Sequence, residues 1–240
     1  MISIEYNESV TSTNDLANEC EKEWTIFIAE KQTKARGQRG NSWESEEGKN
    51  LTFSLVIKPQ FMEASEQFYI SKAVSLAIVY TLEDLDIAPK IKWPNDIYVG
   101  DKKICGILIE NILSSSGGIQ KSVIGVGLNI NQQTFISDAP NPISIYNILG
   151  QEQNRNEILN GFALHFNKLY NILACDDFET IDKEYKNYLY RYNEPHRFKD
   201  CSGEFTGTIV DVLTQGELIV EKENSSKNSY LFKEVEYVIE

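Results

Sequence analysis

The chain has 240 residues, of which 41% are hydrophobic and 25% charged, enough to bury a sizeable core and outside the composition of disordered or fibrous proteins. A formal net charge of −13 repels phosphate backbones and argues against a nucleic-acid binder, and the apolar runs are too short to span a membrane. The start, MISIEYNESV, lacks the basic and apolar stretches of a signal peptide, and Cys20, Cys105, Cys175 and Cys201 are scattered with no C-x-x-C pair, so a cytoplasmic protein with free thiols and no zinc site is expected.

Ser12-Thr13-Asn14-Asp15 is a helix start, with Ser12 or Thr13 as cap, and predicts a short helix to about Cys20. The β-branched and aromatic runs Thr25 to Glu30 and Leu51 to Lys58 predict buried strands, separated by a long polar loop of the kind that usually carries function. From Ala64 to Leu85 apolar residues recur at helical spacing, which predicts an amphipathic helix lying on a sheet. Three strands are expected next, over Ile91 to Tyr98 with a break at Pro94, Ile104 to Leu113, and Lys121 to Asn131. Turns at Gly100-Asp101 and Ser114 to Gly118 make the pairing antiparallel. Asp138 to Pro142 reads as a loop, and Asn156 to Leu173 and Phe178 to Tyr190 as helices. After Pro195 short alternating runs predict a small β-barrel of about five strands, too small to stand alone and so packed on the first domain.

Three segments stand out chemically. Ala35-Arg36-Gly37-Gln38-Arg39-Gly40 combines permanently charged, bidentate donors with glycines that let backbone N–H groups approach an oxyanion, although a surface loop can carry the same residues. Lys92-Trp93-Pro94-Asn95-Asp96 breaks two apolar runs and is followed by Lys102-Lys103-Ile104-Cys105-Gly106-Ile107; the bland alternative is a bend with two lysines guarding a strand edge. Gly125-Val126-Gly127-Leu128-Asn129 puts glycines inside a strand, where they mark close approach by a ligand or another backbone.

Taken in order, Ser12-Thr13-Asn14, Gln32, the Arg36 to Gly40 loop, Trp43, Lys92 to Asp96, Lys103 with Gly106-Ile107, and Gly125-x-Gly127-x-Asn129 resemble the biotin protein ligase family. The resemblance implies an α+β fold with a mixed, largely antiparallel sheet covered by helices over residues 1–192, and a small SH3-like β domain over 193–240. It implies an ATP-dependent, AMP-forming enzyme that makes biotinyl-5′-AMP and transfers biotin to a lysine of a biotin carboxyl carrier protein, as a monomer or homodimer.

By the same resemblance Ser12, Thr13, Asn14, Gln32, Gly37, Lys103, Gly106, Ile107, Gly125 and Gly127 bind biotin. Arg36, Arg39, Gly40, Trp43, Lys92, Asn95, Lys103 and Asn129 bind ATP or the adenylate. Lys103 takes the α-phosphate and biotin carboxylate, Arg36 closes over the intermediate, Arg39 holds the triphosphate, and Lys92 assists the leaving group. Asp96 positions magnesium, carried with the ATP phosphates, or the attacking amine; a carboxylate in a bend can equally cap backbone N–H groups. Trp43 covers adenine, against the alternative of a core tryptophan. Ala35, Gln38 and Asn41 depart from the family pattern, which usually has glycine, arginine and a basic residue there. The start near Met1 leaves no room for the DNA-binding domain of the family's regulatory members, so repression is not expected. Lipoate or octanoate transfer on the same fold, and a non-catalytic module that binds carrier domains, are the alternatives.

Overall fold

The computed structural model describes residues 2–38, 42–137 and 141–239. Its frame is a seven-stranded sheet in the order β1-β2-β3-β7-β6-β5-β4, formed by β1 (Ser3–Val10), β2 (Thr25–Gln32), β3 (Leu51–Ile57), β4 (Lys90–Lys92), β5 (Asp96–Val99), β6 (Lys102–Leu113) and β7 (Ile119–Leu128). Only β1 and β2 run parallel; the other neighbours are antiparallel, giving the mixed, largely antiparallel sheet expected. The β3 run LTFSLVI is buried at every position, because the helical layer covers one face, where Phe53 meets Phe162, and helix α1 (Thr13–Glu19) packs on the other.

Strand β1 is absent from the sequence reading, although Ile4, Tyr6 and Val10 alternate with polar Ser3, Glu5, Asn7 and Ser9 at strand spacing. Most of its side chains are exposed, and it is held at the sheet edge by main-chain pairing with β2. The short helix α3 (Ile145–Leu149) was also unread; Ser144 caps it and Gly150, at φ 72°, ends it. Ser12, extended at φ −157° and ψ 140°, caps α1 by accepting the Asn14 N–H.

Helix α2 corrects the expectation of an amphipathic helix. A single 3-10 turn occupies Ala64–Glu66, and α2 itself runs Phe68–Glu83 with twelve of its residues buried, including Lys72, Ser75 and Thr81. It lies between the sheet and the helices α4 (Arg155–Ala174) and α5 (Phe178–Tyr188), so it has no continuous solvent face and only Glu83 is exposed. Of the polar residues that imitated a solvent face, Thr81 and Lys72 are satisfied internally, while the buried Ser75 hydroxyl has no hydrogen-bond partner among the described residues. Thr81 Oγ1 donates to the Ala77 carbonyl, and the Lys72 ammonium lies 2.5 Å from Asp182 of α5 and 4.6 Å from the centre of the Tyr69 ring. Burial pushes the Lys72 pKa down while Asp182 pulls it up.

The second sheet comprises β8 (Pro195–Asp200), β9 (Gly203–Val212), β10 (Leu218–Lys222), β11 (Lys227–Tyr230) and β12 (Glu236–Tyr237), all antiparallel in the order β11-β10-β9-β8-β12. Phe198, Ile209, Val212, Leu218 and Val220 join the same apolar core as α2 and the large sheet. Trp93 Nε1 donates to the Gly216 carbonyl at 2.8 Å, and Lys186 of α5 pairs with Asp211 at 2.7 Å. The small sheet is thereby fixed beside the Trp93 to Asp96 bend.

The Lys72–Asp182 pair provides a test of how α2 is held. Asp182→Ala strands a buried ammonium and is expected to cost about 3 kcal/mol in urea denaturation, whereas Lys72→Met, which removes the charge, is expected to be neutral or stabilising. Equal losses in both variants would refute this account.

Candidate functional site

The cleft begins where side chains are missing. In the register of β6 and β7, Gly106 faces Gly127 and Leu108 faces Gly125, so two adjacent strands expose bare backbone on one face. The space is used at once. A Cβ on Gly125 would lie 2.3 Å from Asn14 Oδ1, one on Gly127 would lie 2.4 Å from Trp43 Cε2, and one on Gly106 would lie 2.9 Å from Trp43 Cζ3. The glycines therefore admit the start of α1 at one end and the Trp43 indole at the other. The indole is held by the neck of its loop, where Arg36 pairs with Ser42 and the Trp43 N–H donates to the Ala35 carbonyl.

At the α1 end the hydrogen-bonding side chains of Ser12, Thr13, Asn14, Gln32 and Ser54 are uncharged, with Arg36 and Glu110 beside them. Thr13 N–H donates to Gln32 Oε1 at 2.8 Å, and Ser54 Oγ lies 2.7 Å from Thr13 Oγ1 and 2.5 Å from Asn14 Oδ1. Ser12 Oγ accepts the Asn14 N–H, and Asn14 Nδ2 donates to Glu110 Oε2 at 2.8 Å. Among the described residues Gln32 Nε2 takes no partner, and Ser12 retains its hydroxyl proton, so donors and acceptors for a small polar group converge here.

The opposite end is charged. Lys103 Nζ lies 2.7 Å from Asp96 Oδ1 and 5.5 Å from the centre of the Trp43 ring. The Asp96 oxygen lies off the direction of a hydrogen bond from Lys103, so the contact is electrostatic. Asp96 is placed by its pairing with Gly106 across β5 and β6. Its neighbour Asn95 is clamped to β6 by Nδ2 donating to the Ile107 carbonyl at 2.7 Å and by the Ile107 N–H donating to the Asn95 carbonyl at 3.0 Å.

Beyond Lys103 a second cleft opens toward the small sheet, lined by Lys92, Trp93, Asp96, Phe232, Lys233, Glu236 and Tyr237 among others. Gly37, Gln38, Trp43, Asn95 and Lys103 line both clefts. Lys92 Nζ sits 5.0 Å from the centre of the Tyr98 ring and 4.7 Å from that of Tyr237. Burial pushes its pKa down, Asp96 opposes this, and Lys103 and Arg191 reinforce it.

All ten residues expected to bind biotin line the first cleft, from Ser12 to Gly127. Of the expected nucleotide residues, Trp43, Lys92, Asn95 and Lys103 line the second, while Arg36 lines the first. Arg39 and Gly40, like the divergent Asn41, lie outside the described residues. Asn129 lies in neither lining: it is buried, and its Nδ2 donates to the Ile143 carbonyl at 3.1 Å. Arg36, expected to close over the intermediate, is turned toward α1, 2.7 Å from Asp15 and 3.9 Å from Glu110.

Sequence reading missed Ser54, Glu110 and the contribution of the small sheet. Ser54 was detectable as a polar residue within an otherwise apolar buried run, which requires a partner. Glu110 and Phe232 to Tyr237 carried no such mark, because long-range topology alone brings them to the site.

Residues 6–129 match the biotin/lipoate A/B protein ligase family. Over 236 residues the chain is 29% identical to the bifunctional ligase/repressor BirA of Bacillus subtilis (strain 168), spanning 94% of this chain and 71% of that protein. Over 202 residues it is 29% identical to the biotin–(acetyl-CoA-carboxylase) ligase of Paracoccus denitrificans, spanning 80% of this chain and 82% of that one. The solved structure of a biotin protein ligase from Aquifex aeolicus in complex with biotin and ATP shares the fold, with a TM-score of 0.84 and 24% identity over 99% of this chain and 100% of that one.

Two substitutions test the built cleft. Ser54→Ala leaves buried Asn14 and Thr13 oxygens short of a partner and is expected to cost about 1–3 kcal/mol in denaturant unfolding. Gly127→Val is expected to expel the Trp43 indole, read as a red shift and increased quenching of tryptophan emission that is absent when Trp43 is already Phe. An unchanged spectrum would refute the placement of the ring.

Proposed function

This chain belongs to the biotin/lipoate A/B protein ligase family, and from that premise we propose that it activates biotin with MgATP to biotinyl-5′-AMP and then joins biotin to a lysine of a biotin carboxyl carrier protein. The observation that carries the reading is the position of Lys103 at the junction of the two clefts, with neutral hydrogen-bonding groups at the far end of one and further cations in the other.

The polar end favours biotin over lipoate. A cyclic urea offers two N–H donors and one carbonyl acceptor, which match acceptors on Thr13 and Asn14 and donors on Ser12 and Gln32. A dithiolane ring would leave these groups desolvated and unpaired, and a site built around hydrogen bonds rejects such a ligand strongly. Gly106, Gly125 and Gly127, with the Asn14 and Trp43 side chains they admit, line the space for the fused rings and valeryl chain, with Ile107 as apolar wall. The carboxylate then reaches Lys103.

In the first step a biotin carboxylate oxygen attacks the α-phosphorus of ATP, the bond from that phosphorus to the bridging oxygen breaks, and pyrophosphate leaves with the electron pair. Two anions must meet, so fixed positive charge at the reacting centre lowers the barrier. Lys103 supplies it between carboxylate and α-phosphate, and Lys92 faces the departing pyrophosphate. Trp43 stands beside the adenylate, on the glycine floor where adenine can cover it.

Magnesium enters with the nucleotide phosphates. Such an ion needs few protein ligands, and Asp96 with Glu236 offers carboxylates in the second cleft. In the second step the neutral amine of the carrier lysine attacks the acyl carbon, the bond to AMP breaks, AMP leaves with the pair, and the amine proton passes to water. Asp96 orients the incoming amine, and Arg36 turns from Asp15 to the intermediate.

The test is biotin-dependent ATP–pyrophosphate exchange, followed by the mass gain of a carrier domain incubated with the protein, biotin and MgATP. Exchange with lipoate but not biotin would overturn the substrate assignment. Lys103→Ala is expected to retain its circular dichroism and to lose adenylation by about 10²–10³-fold, the scale seen when one transition-state charge partner is removed. Near-normal exchange in that variant would remove Lys103 from the mechanism.

A further inference from the structure

Glu110 lies outside the cleft, yet its contacts decide what the cleft offers a ligand. The side-chain amide of Asn14 is buried, and its two ends differ in hydrogen-bonding sense. One end faces Ser54 Oγ, which can donate or accept; the other faces Glu110 Oε2 at 2.8 Å, with Asn18 Nδ2 at 3.2 Å from the same oxygen. An ionised carboxylate only accepts. It therefore dictates that Nδ2 points to Glu110 and Oδ1 to Ser54 and Gly125.

The consequence travels further. Asn14 Oδ1 accepts the single Ser54 proton, so Ser54 Oγ can only accept from Thr13 Oγ1 at 2.7 Å. Gln32 Oε1 is occupied by the Thr13 N–H at 2.8 Å, the Thr13 hydroxyl being farther at 3.3 Å. With its proton committed to Ser54, Thr13 Oγ1 keeps a lone pair, and Asn14 Oδ1 keeps its second one over the Gly125 floor. Both are acceptors at one end of the first cleft.

We infer that Glu110 is a specificity-determining positioning residue, which locks the Asn14–Ser54–Thr13 chain in the one polarity that presents acceptors to the urea N–H groups of biotin. This rests on the biotin reading given above. Replacing the carboxylate with an amide lets Asn14 turn over, since Gln can donate to Oδ1 while Nδ2 donates to Ser54. The cleft then presents a donor where the ligand also donates. The Glu110 side chain is 39% exposed, so the substitution places no unpaired charge in the core.

The test compares the wild-type protein with Glu110→Gln in ATP–pyrophosphate exchange, using biotin and its two cyclic carbamate analogues, in each of which one urea N–H is replaced by a ring oxygen. Glu110→Gln is expected to raise the KM for biotin about tenfold while turnover at saturating biotin and the melting temperature stay close to wild type. One carbamate is expected to bind poorly to the wild type and to be weakened no further, or improved, by the substitution. An unchanged KM for biotin, or equal weakening of biotin and both carbamates, would overturn the inference. No exchange by the wild type with biotin would instead overturn the proposed substrate, so the two failures are distinct.

Discussion

The site depends on a cross-strand contact between two residues without side chains. Gly106 and Gly127 face each other across β6 and β7, and Gly125 lies two residues along the same face. Any Cβ at these positions would collide with Asn14 or Trp43. Removing three side chains from the middle of an otherwise filled sheet opens a cleft without breaking its main-chain ladder. The strands remain rigid, so groups mounted at either end of the cleft keep a fixed separation.

That separation divides the chemistry. The α1 end holds a neutral array whose donors and acceptors are assigned by hydrogen bonding within the fold. The other end holds Lys103 against Asp96, with Lys92 between two tyrosine rings beyond it. In a chain of net charge −13, Lys92, Lys103 and Lys233 gather in one cleft, beside Asp96 and Glu236. The electrostatic contact with one carboxylate keeps Lys103 in place while leaving its donors available.

The helices and the small sheet serve this arrangement at longer range. Helix α2, largely enclosed, ties the large sheet to α5 and β9 through Lys72, Asp182 and the Val212 carbonyl. Trp93 bonds the small sheet at Gly216 directly before the bend that carries Asn95 and Asp96. The wall containing Phe232 and Tyr237 is thus held relative to the residues opposite it. A lone small sheet would bury too little apolar surface to hold such a position.

Where chemistry is written in local pattern, the sequence was readable. The Ser12 cap, the β-branched runs of β2 and β3, the break at Pro94 and the glycines of β7 follow from propensity and spacing within a few residues, whereas most cleft-lining residues were named through the family resemblance. Strand β1 was legible in the alternation of Ile4, Tyr6 and Val10 with polar residues but was not read; its parallel pairing with β2 was not written there. The burial of α2 was not legible because Lys72, Ser75 and Thr81 imitate a wet face until α4 and α5 are packed against it. Only the tertiary structure decided that Arg36 turns to Asp15, that Asn129 lies behind the cleft, and that Glu110 governs the polarity of Asn14. These outcomes depend on which groups meet across separations of 21 residues, for Asp15 and Arg36, and 96 residues, for Asn14 and Glu110, and no local pattern records such a meeting.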